Sequence, residues 1–453
     1  MSQAVDTEMG INEGVTDALD REAAEARSGG EPEWMRERRV HAFDVYARTP
    51  MPTRRLEEWR YTDLDEKLDL ESLVLGERSN VADDPDAWPE GVRTAMDEDW
   101  DAAAHVVLID GTMVHVDLDE ALATKGVVVS SLKDAMNDED AWEDIKQYLA
   151  TQAVTPDRGK FAALNGALFL DGVYVHVPRG VHIDLPIRVT RWVSTSGAAH
   201  FDRALILAGE TAKVTYVDEV LSDDLDTHTF VSNAVEVIAK DGSNVQFVQM
   251  QRLGRNVFAH SQQRTLAFRD ATANTLNIAL GATTSRLDLN AQMLGPGSSS
   301  EMLGLYFADA DQHFDHNTSQ DHVSPNAFSD LLFKGALDDR SRAVFRGIIR
   351  VHPKAQQSDA YQTNRNLLLS EEASADTLPN LEIAADDVKC SHGATVGQLD
   401  EDSLFYIMSR GIPQERAERL VVMGFLGEIL LKVSLGGVVE KITSEIERKL
   451  ANV

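Results

Sequence analysis

Cys390 and His392 are the two residues of this chain whose types and spacing most directly suggest chemistry. Cys390 is the only cysteine among 453 residues. A thiol and an imidazole at i and i+2 fall on the same side of an extended strand, and both bind soft or borderline metals, iron–sulfur species included. A structural role competes: free cysteine is commonly a small buried hydrophobe. A second group is Asp311-Gln312-His313-Phe314-Asp315-His316 with Asp321-His322. Histidines His313, His316 and His322 with nearby aspartates are candidate iron or zinc ligands. Their irregular spacing fits no defined metal motif and favours hydrogen bonding between strands or at an interface. A third is Gln356-Gln357-Ser358-Asp359-Ala360-Tyr361-Gln362-Thr363-Asn364-Arg365-Asn366, a polar ladder suited to stacked amides that satisfy one another.

Other chemistries are excluded. There is no G-x-x-x-x-G-K-[ST] phosphate loop, since Gly295-Pro296-Gly297-Ser298-Ser299-Ser300 lacks the lysine. There is no G-x-S-x-G elbow and no zinc-type cysteine pair. One cysteine cannot by itself supply the four thiolates of an ordinary iron–sulfur cluster site or an internal disulfide, and it points to a reducing compartment. The formal charge is −32, from 75 acids against 43 bases, which argues against nucleic acid and anionic membranes as partners. Because the excess is spread along the whole chain, it reads as a hydrated surface suited to a high-salt cytoplasm. The N-terminus has no basic or apolar leader region, and no apolar run is long enough to span a bilayer, so a cytoplasmic protein is expected.

The elements that must position these residues fall into four expected segments. Residues 1–30 read as a disordered acidic lead. Residues 31–102 read as an N-terminal helical domain: a helix opens near Pro32 with Trp34, Val40, Phe43 and Tyr46 on one stripe, and Pro50 and Pro52 stop it. Trp59 and Tyr61 are expected to pack this domain onto the next, and acidic linker sequence follows to about Trp100. Residues 103–399 read as a β-rich core. It begins with two strands joined at Asp110-Gly111, holds a helical interlude over about Ser131–Gln152, and continues as strands that include Ala167–Leu170, Val173–Val177, Lys213–Val217, Val245–Met250 and Leu303–Phe307. Tight polar corners, among them those at Gly209, Gly242, Asp270 and Gly297, recur every ~26–32 residues, a solenoid period. A parallel β-helix explains the corners; an antiparallel sandwich competes. Residues 400–453 read as a C-terminal helical domain. A first helix ends at Gly411, and a second opens at Pro413 with Ala417, Leu420, Val421, Gly424 and Phe425 on one face. A third carries Val439, Ile442, Ile446 and Leu450.

Within this frame the stretches Pro379–Ile383, Lys389–Gly397, Leu404–Tyr406 and Ser409–Ile412 closely resemble the SufB/SufD family, scaffold proteins of the SUF iron–sulfur cluster assembly system. Weaker matches lie at Glu57–Thr62, Ala163–Asn165, Val177–Gly180, Asp315–Thr318, Phe345–Gly347 and Asn366–Ser370, and the resemblance spans roughly residues 34–430. It is closer to SufD, because SufB-like chains carry Cys-Glu-His where this one has Cys390-Ser391-His392, and typically hold more cysteines. The resemblance implies a right-handed parallel β-helix flanked by helical domains. It implies a complex with a SufB-like partner, paired through β-helix edges, and a SufC-like ABC-type ATPase. It maps the functional histidine onto His392, which would help a SufB cysteine hold a nascent, transient cluster; Cys390 lies at a matching cysteine position. The ATPase dock maps to about Asp402–Glu428, with Phe405, Tyr406, Arg410, Gly411, Ile412 and Phe425 as its candidate contacts. Reduced flavin is associated with such complexes, and no residue here marks a flavin site. The chain would then be a non-enzymatic subunit. The alternatives are a SufB-like scaffold acting as a homodimer and a β-helix carbohydrate-active enzyme using paired aspartates.

Overall fold

The computed structural model describes residues 16, 18–97, 100–139, 141–433 and 435–451. Its centre is a parallel β-solenoid of about eight turns, built from two ten-stranded sheets. From Asp171 onward successive strands alternate between the sheets, so each strand pairs with the one two places on. In one sheet Lys213 pairs with Asn244, then Thr272, Ser299, Phe328, Asp359 and Lys389 in turn, an advance of 27–31 residues per turn. Every one of these ladders is parallel, which rules out the antiparallel sandwich. Left-handed backbone positions mark the corners: Gly242 (φ 69°) and Gly297 (φ 74°) use glycine, and Asp270 (φ 54°) and Asn326 (φ 58°) use residue types that tolerate that region.

The two ends of the solenoid differ. At the beginning, Thr112–Leu118 runs antiparallel to Ala104–Ile109, and Val128–Ser131 runs antiparallel to Asp171–Val177. The first of these hairpins turns at Asp110 (φ 46°) and Gly111 (φ 74°), the two-residue turn expected from the sequence. At the other end, Ser374–Ile383 and Lys389–Gln398 are the last strands of their sheets and have a neighbour on one side only.

Helices cover the two outer faces. On one sheet lie Glu33–Arg48 and Lys160–Leu168, packed over Ala198–Ala208 and Thr229–Ala239. Those two strands are buried at every position, as parallel sheets covered on both faces are. Trp59 seats this cover: its ring meets Phe161 and stacks against the Arg286 guanidinium at 3.6 Å. The other sheet is covered by Gln414–Leu430 and Gly436–Leu450. Among the described residues no helix is long and apolar enough to cross a membrane.

Several expectations need correction. Ala167–Leu170 is not a strand. Ala167 and Leu168 end the helix Lys160–Leu168, every residue of which is buried. A helix apolar on all sides shows no stripe, so periodicity could not separate it from a buried strand. The interlude expected at 131–152 holds the helices Leu132–Met136 and Trp142–Tyr148, and the 103–399 segment carries two more outside it, Glu120–Thr124 and Lys160–Leu168. The 1–30 lead contains the helix Arg21–Arg27, N-capped by the Asp20 carboxylate at 2.8 Å from the Ala23 amide, with Leu19 and Ala24 buried; Met1–Val15 and Asp17 lie outside the described residues. The stretch before Trp100 is packed structure rather than linker: Trp88, Val92 and Ala95 form a small core with Trp192. In the C-terminal domain the second helix buries Ala417, Val422, Leu426 and Ile429 and leaves Leu420 exposed. The third buries Val438 in place of Val439. These faces are set by the sheet beneath, against which ridges of i±4 residues settle.

Candidate functional site

Cys390 and His392 lie on Lys389–Gln398, the last strand of its sheet, at the open end of the solenoid. Register fixes which way they face. Cys390 is paired with Ala360 and His392 with Gln362, and both partners are buried within the coil. Cys390 and His392 therefore continue an inward-facing column whose next turn is missing. Beside them the same inward register carries Val396 on this strand and Leu381 and Ile383 on the facing one, all exposed. An interior cross-section of the solenoid is thus presented to solvent.

The two candidate ligands differ in their surroundings. Cys390 is half-buried and packs with Val388 against Ile349, Val351, Ala355, Ala360 and Ala385. Burial pushes its thiol above the ordinary range, and the nearby Asp359 carboxylate adds to this. A metal would thus have to displace a proton held more tightly than usual. His392 is exposed, and among the described residues its ring makes no hydrogen bond. Beneath it, the Gln362 amide donates to the Asn380 carbonyl at 3.3 Å, linking the two terminal strands' sheets. The expected amide ladder reduces, one turn lower, to a single amide pair within the strand Asp359–Leu368 rather than at a corner. The Asn366 amide donates to Asn364 Oδ1 at 2.7 Å, and Tyr306 donates its hydroxyl to Asn366.

His313, His316 and His322 do not come together as a ligand set, and among the described residues no group of three or more His, Cys, Asp or Glu side chains is arranged to hold a metal. His313 sits on the outer face of its strand, where its ring bonds the Thr62 hydroxyl at 2.8 Å; that hydroxyl donates in turn to Asp315. His316 points inward among Tyr306, Phe314 and Phe333, with neither ring nitrogen bonded. His322 bonds Ser329 at 2.7 Å. Burial lowers all three, to about 3 for His313 and His316 and about 4 for His322, so they stay neutral as structural groups.

A second exposed surface follows directly in the chain. The helix Glu401–Ser409, capped by Asp400, has no buried residue. Phe405 is 73% exposed and Tyr406 59%, far more than a helix packed on its own fold would leave. Arg410 lies 4.9 Å over the Tyr406 ring and bonds its hydroxyl at 3.0 Å. Gly411 (φ 85°) turns the chain, and Ile412 is half-buried. Phe425 does not belong to this surface. It is partly buried against the solenoid, with Lys334 Nζ 4.5 Å over its ring and donating to its carbonyl at 2.7 Å. Lys334 and Arg365 also hold Glu428, at 2.5 and 3.1 Å, and this keeps the Glu428 carboxyl below its usual range.

The most informative residues missed in the sequence are Leu381, Ile383 and Val396. Read alone they are ordinary strand hydrophobes; only the absence of a further turn exposes them.

Comparison with known proteins agrees with this architecture. Residues 18–189 match the family model "SufBD protein N-terminal region", and residues 191–425 match "SUF system FeS cluster assembly, SufBD core domain". The chain is 28% identical over 422 residues to the iron-sulfur cluster assembly SufBD family protein of Staphylococcus saprophyticus, covering 91% of this chain and 88% of that one. A relative from Staphylococcus haemolyticus is 28% identical and one from Staphylococcus aureus strain USA300 27%, each over 421 residues with the same coverage. A parallel solenoid flanked by helices, matched from residue 18 to 425, places the chain in the SufBD family of iron–sulfur cluster assembly proteins.

Proposed function

We propose that this chain is the SufD-like subunit of a cytoplasmic SUF scaffold complex. In this reading His392 is a ligand to a nascent iron–sulfur cluster, which is cargo rather than a resident cofactor. The observation that carries it is the open end of the solenoid, where His392 stands exposed on an inward register beside Leu381, Ile383 and Val396. A SufB-like partner with its own terminal strands would continue both sheets. It would satisfy the unpaired backbone edge, cover the apolar cross-section and bring thiolates to the imidazole. One chain offers at most Cys390 and His392, two of the four positions of a common cluster, so the remainder must come from the partner. Cys390, half-buried with a raised thiol, is the secondary member.

The exposed helix Glu401–Ser409 with Phe405 and Tyr406, closed by Arg410, Gly411 and Ile412, serves as the dock for a SufC-like ATPase. It joins the cluster strand through Leu399 and Asp400, so movement of the docked ATPase would be transmitted to the interface. The test is co-expression with SufB-like and ATPase partners. Replacing His392 with Ala should leave the complex intact on gel filtration and lower cluster yield, read from the visible spectrum, at least about tenfold. Normal yield from that variant would refute the ligand role. A stable cluster reconstituted on the lone chain would favour the homodimeric SufB-like scaffold instead.

A further inference from the structure

A groove of about 480 Å³ lies on the outer face of the sheet that ends in Ser374–Ile383; its lining reaches Glu382 on that strand and includes neither Cys390 nor His392. Its floor is formed by the strands Val257–Ala267, Thr284–Met293, His313–His322 and Arg342–Val351, and its walls by Glu58-Trp59 and the segment from Val154 to Arg158. The volume is that of a small-molecule site. Arg264 stands in it, 4% exposed. Its one hydrogen bond among the described residues goes from Nη2 to the neutral amide oxygen of Gln292 at 2.9 Å, and Nε and Nη1 are buried without partners.

Four other buried arginines of this chain are treated differently. Arg39 meets Glu31 at 2.6 Å, Arg191 meets Asp218 at 2.7 Å, Arg203 meets Glu236 at 3.3 Å and Arg286 meets Asp315 at 2.6 Å. Glu236, the residue beside Arg264 on the neighbouring strand, is already taken by Arg203 and the amides of Ala150 and Val154. The groove's own carboxylates are also engaged: Asp288 by Arg286 and His260, Asp321 by His352 and Gln292, and Glu382 by Arg350. Glu58, the remaining acid, is exposed. A buried guanidinium without a counter-charge is costly, and a chain carrying −32 has no shortage of acids that could have filled the place. Around Arg264 the groove also offers unpartnered acceptors, Gln262 Oε1, Asn290 Oδ1 and Asn317 Oδ1, and at its mouth the exposed Arg158.

From this we infer that the groove binds a small metabolite with an oxyanion group seated on Arg264 and hydroxyl or amine donors directed to Gln262, Asn290 and Asn317. Phosphate and carboxylate share the recognition chemistry, a planar fork of N–H donors. Calorimetric titration of the full-length chain with inorganic pyrophosphate and, separately, citrate distinguishes them. Saturable one-to-one binding of at least one probe is expected. Arg264→Gln should weaken it at least about tenfold and Arg158→Gln about threefold, while the distant surface change Arg179→Gln leaves it unchanged. Pyrophosphate alone binding assigns a phosphate ligand, and citrate alone a carboxylate one. Circular dichroism shows whether Arg264→Gln folds; if it does not, Arg158→Gln decides. No saturable heat from either probe up to about 10 mM, or undiminished affinity in the deciding folded variant, overturns the inference.

Discussion

His392 and the three buried histidines illustrate how one residue type divides by burial. At neutral pH His313, His316 and His322 are held neutral in the fold, with values of about 3, 3 and 4 against 6.5 for a free imidazole. Their folded values are depressed, so the unfolded chain binds protons that the folded one refuses. Their contribution is fully present above pH 6.5 and is lost as pH falls from there toward 4 and 3. Each should cost about 1.4 kcal/mol per pH unit in that window. Replacing His316 with Phe, among Tyr306, Phe314 and Phe333, removes one such group and two orphaned nitrogens. The stability-versus-pH slope between about pH 6 and 4.5 should flatten by that amount, measured by urea unfolding at each pH. Parallel slopes for the two proteins would show that His316 does not titrate on unfolding. His392 is exposed at the open end, so His392→Ala should unfold like the parent while losing cluster yield.

At the scale of elements, the terminal strands and the helix after them are expected to act through surfaces rather than stability. Val396→Asp places a charge on the open cross-section where no turn lies above it. The lone chain should stay folded, with melting changed by no more than about 0.5 kcal/mol equivalent, and its association with a SufB-like partner should weaken at least about tenfold. Retained affinity would mean that the partner does not stack on this end. Phe405→Ala should likewise leave melting unchanged and weaken capture of the ATPase. The opposite behaviour is expected at Trp59, which is 7% exposed and wedged between Phe161 and Arg286. Trp59→Ala should destabilise by about 3–5 kcal/mol. Its ring packs the N-terminal helices onto the solenoid, and with Glu58 it also walls the groove around Arg264.

At the scale of the whole molecule, charge is the dominant physical property. With a formal −32 spread from end to end, self-repulsion should be relieved by screening. The midpoint of thermal unfolding should rise between dilute buffer and molar KCl. Equal midpoints would remove the case for adaptation to high salt. The architecture places the two proposed contacts at one end of a stack: cluster strand and ATPase dock are consecutive in sequence and share the final turn. At the opposite end the outermost strands of both sheets run antiparallel to their neighbours.

Much of this was legible without coordinates. Corner residues recurring at the solenoid period, the Asp110-Gly111 hairpin and the helices after Asp400 rest on local chemistry: turn conformations, alternation and capping, which neighbouring residues decide among themselves; the motif around His392 was legible only through its resemblance to a family. What tertiary structure alone decided depends on what lies across a gap in sequence. Lys160–Leu168 is enclosed by Glu33–Arg48 and two strands, and enclosure erases the stripe that would have revealed it as a helix. Which face of Gln414–Leu430 is buried depends on the sheet under it. Leu381, Ile383 and Val396 become an interface only because the coil ends above them. The unpaired guanidinium of Arg264 stands out only once Glu236, its nearest acid in register, is seen to be occupied by Arg203. Exposure and pairing are relations between distant residues, and the order of residues along the chain does not record them.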